Sequence, residues 1–347
     1  MTPRESSCDC LEGASTAAPQ GGAGDTAPCA CTGRSQRGRG RAWAELLRLP
    51  ALFSVPGDAL AGTAATGAAP NARTLLAIGS SLCLYEAGMA LNDWADRDVD
   101  AVERPHRPLP SGRVHPAAAL TAACALTGAG LALAAGAGRP ALAVAAPLAA
   151  TVWAYDLGLK HTPAGPVAMA AARGLDLLLG AAATTGRTRP ALPSAALLGT
   201  HTLAVTTVSR QEAQGGSPLA PLAALATTAL LTRVVTHRPA EQREATAHGH
   251  PGPRATRPRG PVPGRSPAAH LTTALAAAYV AATARPYFHA TLNPSPPLTQ
   301  RAVGAGVRAT IPLQAALTAR SKGTATALVI AALAPLGARF AKKVSVT

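Results

Sequence analysis

Between Asn92 and Arg113 the chain reads Asn92-Asp93-Trp-Ala-Asp96-Arg97-Asp98-Val-Asp100-Ala-Val-Glu103-Arg104-Pro-His-Arg107-Pro-Leu-Pro-Ser-Gly-Arg113. On a helix each four-residue step from Asn92 to Asp96 to Asp100 turns about 40° beyond a full rotation and rises about 6 Å, so the three side chains share one face. An amide carbonyl and two carboxylates are hard oxygen donors. Magnesium takes one or two such carboxylates and completes its octahedron with water and substrate phosphates. Acids alone would repel a phosphate, but Arg97, Arg104, Arg107 and Arg113 are interleaved with them and can grip phosphate oxygens in bidentate fashion. Pro105, Pro108 and Pro110 stop the helix and stiffen a loop able to fold those arginines back over the acids. The segment therefore reads as a metal–diphosphate site.

The elements that position this segment are apolar. Of 347 residues, 48% are hydrophobic and only 14% charged, and aromatics contribute 3%. A core of alanine and leucine suits membrane packing, in which small residues let helices approach closely. Residues 114–138 and 140–155 contain no Asp, Glu, Lys or Arg. These stretches approach the roughly 20 apolar residues that cross a bilayer as a helix. Acids at the end of such a helix are costly unless they are paired or line a wet cavity, which makes them a functional signal.

Candidate spans cover residues 51–68, 73–92, 116–136, 140–158, 166–185, 192–208, 218–233, 268–284, 303–319 and 324–340, nine or ten in all, since Arg301, Arg308, Gln314 and Arg320 make one of the last too polar to face lipid all round. The expected fold class is an all-α, polytopic membrane helix bundle. Residues 1–40, rich in Gly, Ala, Ser, Thr and Pro, read as a disordered tail. Residues 41–345 form the membrane domain, interrupted by a polar Pro/Arg-rich insert at 234–267. The formal charge of +15 suggests nucleic acid only if it is clustered on one surface. Much of it lies in that insert and in Arg339, Lys342 and Lys343, so no nucleic-acid partner is expected. The Lys/Arg bias across the loops places the N-terminus and the loops of the acidic segment in the cytoplasm of a bacterial-type cell membrane.

At these residues the sequence resembles the UbiA family of intramembrane prenyltransferases. Asn92-Asp93-x-x-Asp96-x-x-x-Asp100 is similar to that family's first aspartate-rich motif, and Arg104-Pro-His-Arg107-Pro-Leu-Pro-Ser-Gly112 to the stretch that follows it. Tyr155-Asp156 with Lys160, and Arg173-Gly174, look like later motif positions. The resemblance implies a bundle of about nine transmembrane helices around a central cavity. It also implies Mg2+-dependent transfer of a prenyl group from an isoprenoid diphosphate to a lipophilic acceptor within the membrane. Asn92, Asp96 and Asp100 would hold the metal. Arg97, Arg104, Arg107, Lys160, Arg173 and Arg210 would bind the diphosphate, and Asp96, Asp100, Lys160 and Arg173 would be catalytic.

The resemblance fails at the second aspartate-rich motif. The corresponding stretch, Ser209-Arg210-Gln211-Glu212, offers Glu212 as its single carboxylate, for a second metal or for the acceptor. The chain thus looks like a divergent subgroup lacking that motif. Asp156 and Glu212 stand as alternatives for positioning or deprotonating the acceptor. The competing function is a non-catalytic membrane protein that binds or moves a lipid diphosphate. An ion-coupled transporter with an acidic site in each half is disfavoured, because no Asp or Glu follows Glu244.

Overall fold

The computed structural model describes residues 30–211, 216–237, 266–321 and 323–345. Those residues form twelve α-helices, three short 3-10 turns and no strand. The helices are α1 (Ala30–Leu46), α2 (Pro56–Ala65), α3 (Ala72–Ala95), α4 (Arg97–Glu103), α5 (Pro116–Ala137), α6 (Arg139–Leu157), α7 (Gly165–Thr185), α8 (Leu192–Ser209), α9 (Leu219–Thr236), α10 (Pro267–Leu292), α11 (Pro296–Arg320) and α12 (Thr324–Ser345). Six of these, α3 and α5 to α9, are long and apolar enough to cross a membrane. Helices α10 and α11, at 26 and 25 residues, have the length to span but are more polar.

Two boundaries differ from the sequence expectation. Helix α1 begins at Ala30, inside the tail expected to reach residue 40; residues 1–29 lie outside the described part. The span expected at 51–68 is a 3-10 turn, Leu49–Ser54, followed by the ten-residue α2. Pro50 and Pro56 each start a helical segment and cannot continue one from upstream. Ten residues rise only about 15 Å, too short to cross a bilayer alone. Helix α9 runs to Thr236, into the start of the insert expected at 234–267, and α10 starts at Pro267; residues 238–265 lie outside the described part.

The described residues from Arg39 onward pack as one unit. Helix α3 starts at a capping box, in which Asn71 Oδ1 accepts from the Arg73 and Thr74 amides at 2.9 and 3.2 Å while Thr74 Oγ1 accepts from the Asn71 amide. Small residues then allow backbones to meet. A Cβ on Gly62 of α2 would overlap the Leu177 carbonyl of α7, and one on Gly180 of α7 would overlap the Ala59 backbone. Between α3 and α5, Ser80 Oγ donates to the Gly130 carbonyl at 2.8 Å. Threonine hydroxyls are satisfied within the apolar helices: Thr127, Thr151 and Thr200 each donate to the carbonyl four residues back. Such back-bonding lets a hydroxyl sit in hydrocarbon without the cost of an unmade hydrogen bond.

Candidate functional site

Helix α3 ends on the acidic segment. Asp96 caps its C-terminus, with φ −89° and ψ 3°, and α4 follows at once. The turn hydrogen bonds run on through this joint, from Asp96 N to Asn92 O at 3.0 Å, Asp100 N to Asp96 O at 2.8 Å and Arg104 N to Asp100 O at 2.8 Å. The four-residue step therefore persists across it. Helix α4 stops at Arg104, because Pro105 excludes helical backbone in the residue before it. The following loop is pinned by buried Leu109 and Val114 against α1, α3 and α5, and it turns at Gly112, whose φ of 71° suits glycine.

The loop folds back as expected. Arg107 Nη1 lies 2.6 Å from Asp100 Oδ2 and 3.7 Å from Asp93 Oδ1. Arg104 is 3.9 Å from Asp100 Oδ1. Arg113 forks onto Glu45 of α1 at 2.8 and 3.3 Å, outside the acidic cluster. Arg97 also turns away: its guanidinium stacks 4.8 Å from the Trp94 ring centroid, donates to the Trp94 carbonyl and pairs with exposed Asp98. Arg97 is thus not brought to Asp96 or Asp100.

Lys160 comes from the 3-10 turn Leu159–His161 after α6. Its Nζ lies 2.6 Å from Asp96 Oδ1 and 3.4 Å from Asn92 Oδ1. Two oxygen donors from successive turns therefore converge on one cation. Arg210, at the end of α8, donates to the Thr162 carbonyl and so ties α8 to the loop that carries Lys160. Glu212 lies outside the described residues. Among the described residues no three His, Cys, Asp or Glu side chains are grouped closely enough to hold a metal ion by themselves, and the donors that converge on Lys160 are a carboxylate and an amide.

Beneath Asn92 a cavity of about 240 Å³ runs between α3, α6 and α7. Arg48 and Asn92 line its mouth, Gly88, Met89, Leu148 and Val152 its walls, and Ser81, Arg173 and Asp176 its far end. Ser81 and Asn92 are eleven residues apart on α3, about 16 Å of helical rise. Asp156, 4% exposed, lines the wall close to Gly88.

Arg173 was expected among diphosphate ligands, yet it is held at the far end. Its Nε lies 3.0 Å from Asp58 Oδ2 of fully buried Asp58 on α2. Gln314 of α11 donates to Asp58 Oδ1 at 2.6 Å and to the Ser54 carbonyl at 2.8 Å. Gly57 makes room, since a Cβ there would overlap the Gln314 amide. Ser81 Oγ donates to Asp176 Oδ1. Sequence reasoning missed Asp58, Gln314 and Arg48. Arg48 has φ 49° and ψ 45°, the one non-glycine residue with positive φ among the described residues. That left-handed backbone, uncommon for a bulky residue, ends α1 and directs Nη2 to within 3.1 Å of Asp93.

Membrane-length helices around an apolar slot, with acids and guanidinium groups in near balance at its mouth, define an integral membrane protein with an intramembrane, polar-capped cavity. The chain belongs to the UbiA prenyltransferase family, whose family model matches residues 52–236, more than half of it. Digeranylgeranylglyceryl phosphate synthase of Methanopyrus kandleri is 37% identical over 128 residues, 35% of this chain and 45% of that protein. The synthase of the same name from Ignicoccus hospitalis is 34% identical over 148 residues, 42% of this chain and 48% of that one. The chain thus spans about half the length of the curated relatives it matches. The apo structure of a UbiA homolog from Aeropyrum pernix K1 has a TM-score of 0.56 at 19% identity, covering 77% of this chain and 96% of that one. A UbiA homolog from Archaeoglobus fulgidus, solved bound to GPP and Mg2+, gives 0.52 at 17%, covering 80% and 99%. At these identities the likeness establishes the shared fold.

Proposed function

We propose that this protein transfers a prenyl group from an isoprenoid diphosphate to a lipophilic acceptor inside the membrane, with Mg2+ at Asn92, Asp96 and Asp100. The convergence of Asn92 and Asp96 on a single Lys160 ammonium carries the reading. Hard donors that share an ammonium suit a hard divalent ion, and they stand at the mouth of an apolar cavity that suits a prenyl chain. The synthase names of the relatives, and the GPP and Mg2+ of the Archaeoglobus structure, support it.

When bound, the metal supplies Lewis-acid charge for the departing diphosphate. The chain's own groups do the rest. Lys160, released from Asp96, together with Arg104, Arg107 and Arg210 gathers diphosphate oxygens, and each contact strengthens as the leaving group gains charge. Arg48, at the cavity mouth, joins them. Arg173 acts from the far end through the Asp58 pair and keeps that wall in place, a positioning role. The apolar walls exclude water from the allylic carbon. The loop arginines and the N-terminal Arg34, Arg37, Arg39 and Arg41 favour a cytoplasmic mouth.

Purified protein in nanodiscs with radiolabelled geranylgeranyl diphosphate, Mg2+ and a membrane lipid extract tests this reading. A labelled, diphosphate-free lipid is expected, and EDTA should abolish it. The replacement of the family's second acidic motif by Ser209-Arg210-Gln211 favours the second reading, a non-catalytic binder. Intact diphosphate binding without product from any acceptor would establish that one instead.

A further inference from the structure

Two carboxylates line the cavity, Asp156 and Asp176. Asp176 is engaged at the far end by Ser81 and lies beside Arg173 and Asp58. Asp156 differs. It is 4% exposed, so more than nine-tenths buried, yet among the described residues no cation reaches ion-pair distance of it and no hydrogen bond to its carboxylate occurs. The charged groups that surround it at longer range are Lys160, Arg48, Asp96 and Asp93. Its oxygens are not sealed in protein; they border the cavity. A buried carboxylate left open towards a cavity is costly unless something arrives to meet it.

Its height in the cavity shows what could arrive. The point where a Cβ on Gly88 would stand lies 3.0 Å from Val152 Cγ1 and 3.7 Å from Asp156 Oδ2, so α3 and α6 meet closely here and Asp156 sits at the level of Gly88. Gly88 is one four-residue step before Asn92 on α3, about 6 Å deeper. A diphosphate held at Asn92 and Asp96 with its chain in the cavity would bring its first allylic carbon towards that level. A nucleophile in attacking position lies about 3–3.5 Å from the carbon, and a base must lie about 2.6–3.2 Å from the nucleophile's proton-bearing atom. Of the two cavity carboxylates, Asp156 is the one at that level.

We propose that Asp156 is the catalytic residue that receives the acceptor, which makes the acceptor a neutral O–H nucleophile. This rests on the prenyl-transfer reading. The acceptor oxygen forms a bond to the allylic carbon as the carbon–oxygen bond to diphosphate breaks. The electron pair leaves with the diphosphate, and the hydroxyl proton passes to the Asp156 carboxylate. No oxidant or further reactant is needed.

The test uses full-length protein in nanodiscs and the variants Asp156→Asn and Asp156→Glu. Donor binding is read by titrating geranylgeranyl diphosphate with Mg2+, and turnover by transfer to geranylgeranylglyceryl phosphate, a glyceryl hydroxyl acceptor, and to a membrane lipid extract. Asp156→Asn is expected to bind the donor as the wild type does while kcat falls by about 10²- to 10⁴-fold, the range for loss of a general base. Asp156→Glu, which keeps the carboxylate, should recover part of kcat at unchanged donor KM, a rescue that a purely structural role would not produce. An Asp156→Asn enzyme that turns over within about threefold of wild type overturns the proposal, as does donor affinity falling in step with turnover. Wild-type protein that binds the donor yet transfers to neither acceptor overturns the prenyl-transfer reading itself, and the Asp156 assignment with it.

Discussion

Lys160 Nζ stands 2.6 Å from Asp96 Oδ1 and 3.4 Å from Asn92 Oδ1, with 8% of its side chain exposed. The ammonium occupies the point on which the two oxygen donors converge, so it competes with any metal for them. Coulomb repulsion between charges about 4 Å apart is worth about 4 kcal/mol at an effective dielectric of 20. Lys160→Met is therefore expected to bind Mn2+ alone at least about tenfold more tightly than wild type, a difference of about 1.4 kcal/mol. Electron paramagnetic resonance of free Mn2+ measures this directly. The same variant should bind geranylgeranyl diphosphate more weakly, because it has lost a phosphate ligand. Weaker Mn2+ binding in Lys160→Met would show that the lysine supports the metal rather than competing with it.

The two acids Asp96 and Asp98 are near neighbours with opposite surroundings. Asp96 faces Lys160, whereas Asp98 is 84% exposed and pairs with Arg97. Asp96→Asn is expected to abolish Mg2+-dependent binding of geranylgeranyl diphosphate. Asp98→Asn should leave it within about twofold, since exposed pairs contribute about 0–1 kcal/mol at most. Calorimetric titration of both variants decides this, and normal binding by Asp96→Asn would remove Asp96 from the metal site.

The acidic segment was legible because its signal is local. Asn92, Asp96 and Asp100 repeat at helical spacing, and the prolines after Arg104 announce the loop that carries Arg107 back. Lys160 came only through the family resemblance, since nothing local connects it to Asp96. Arg97 went astray although a local signal existed: Trp94 lies three residues earlier, on the same face of the turn. The far end was illegible for a different reason. Asp58 and Gln314 are 256 residues apart, and a single pair at such separation leaves no periodic trace. The short α2 did carry a signal in Pro50 and Pro56, but the apolar run from 51 to 68 outweighed it.

The Asp58–Arg173 pair lies in the protein interior, with Asp58 fully buried and 16% of the Arg173 side chain exposed. Removing one member of such a pair strands the other charge, at a cost of about 3–5 kcal/mol, while replacing both with neutral groups costs far less. Arg173→Met should lower the thermal midpoint in detergent substantially. Asp58→Asn combined with Arg173→Met should recover most of the loss. If the double variant is as unstable as the single, the pair does not act as a unit. If Arg173→Met is stable but binds geranylgeranyl diphosphate poorly, Arg173 is a ligand rather than a positioning residue.

That pair exists only because α2 and α7 approach closely. A Cβ on Gly180 would fall 2.6 Å from the Ala59 carbonyl carbon, against main chain that cannot rotate away as a side chain can. Gly180→Ala must therefore push the helices apart, and overpacking of this kind costs about 1–3 kcal/mol or more. Because α2 carries Asp58 and α7 carries Arg173, the separation also strains their ion pair and the cavity wall behind it. Gly128 of α5 is the control, since a Cβ there meets nothing within 4 Å. Alanine at that site should be neutral or stabilising by up to about 1 kcal/mol through helix propensity. Thermal unfolding in detergent should thus separate two chemically identical substitutions, with Gly180→Ala melting lower and binding geranylgeranyl diphosphate less well, and Gly128→Ala matching the wild type in both. Equal behaviour of the two variants would mean that the α2–α7 contact is looser than its backbone geometry indicates.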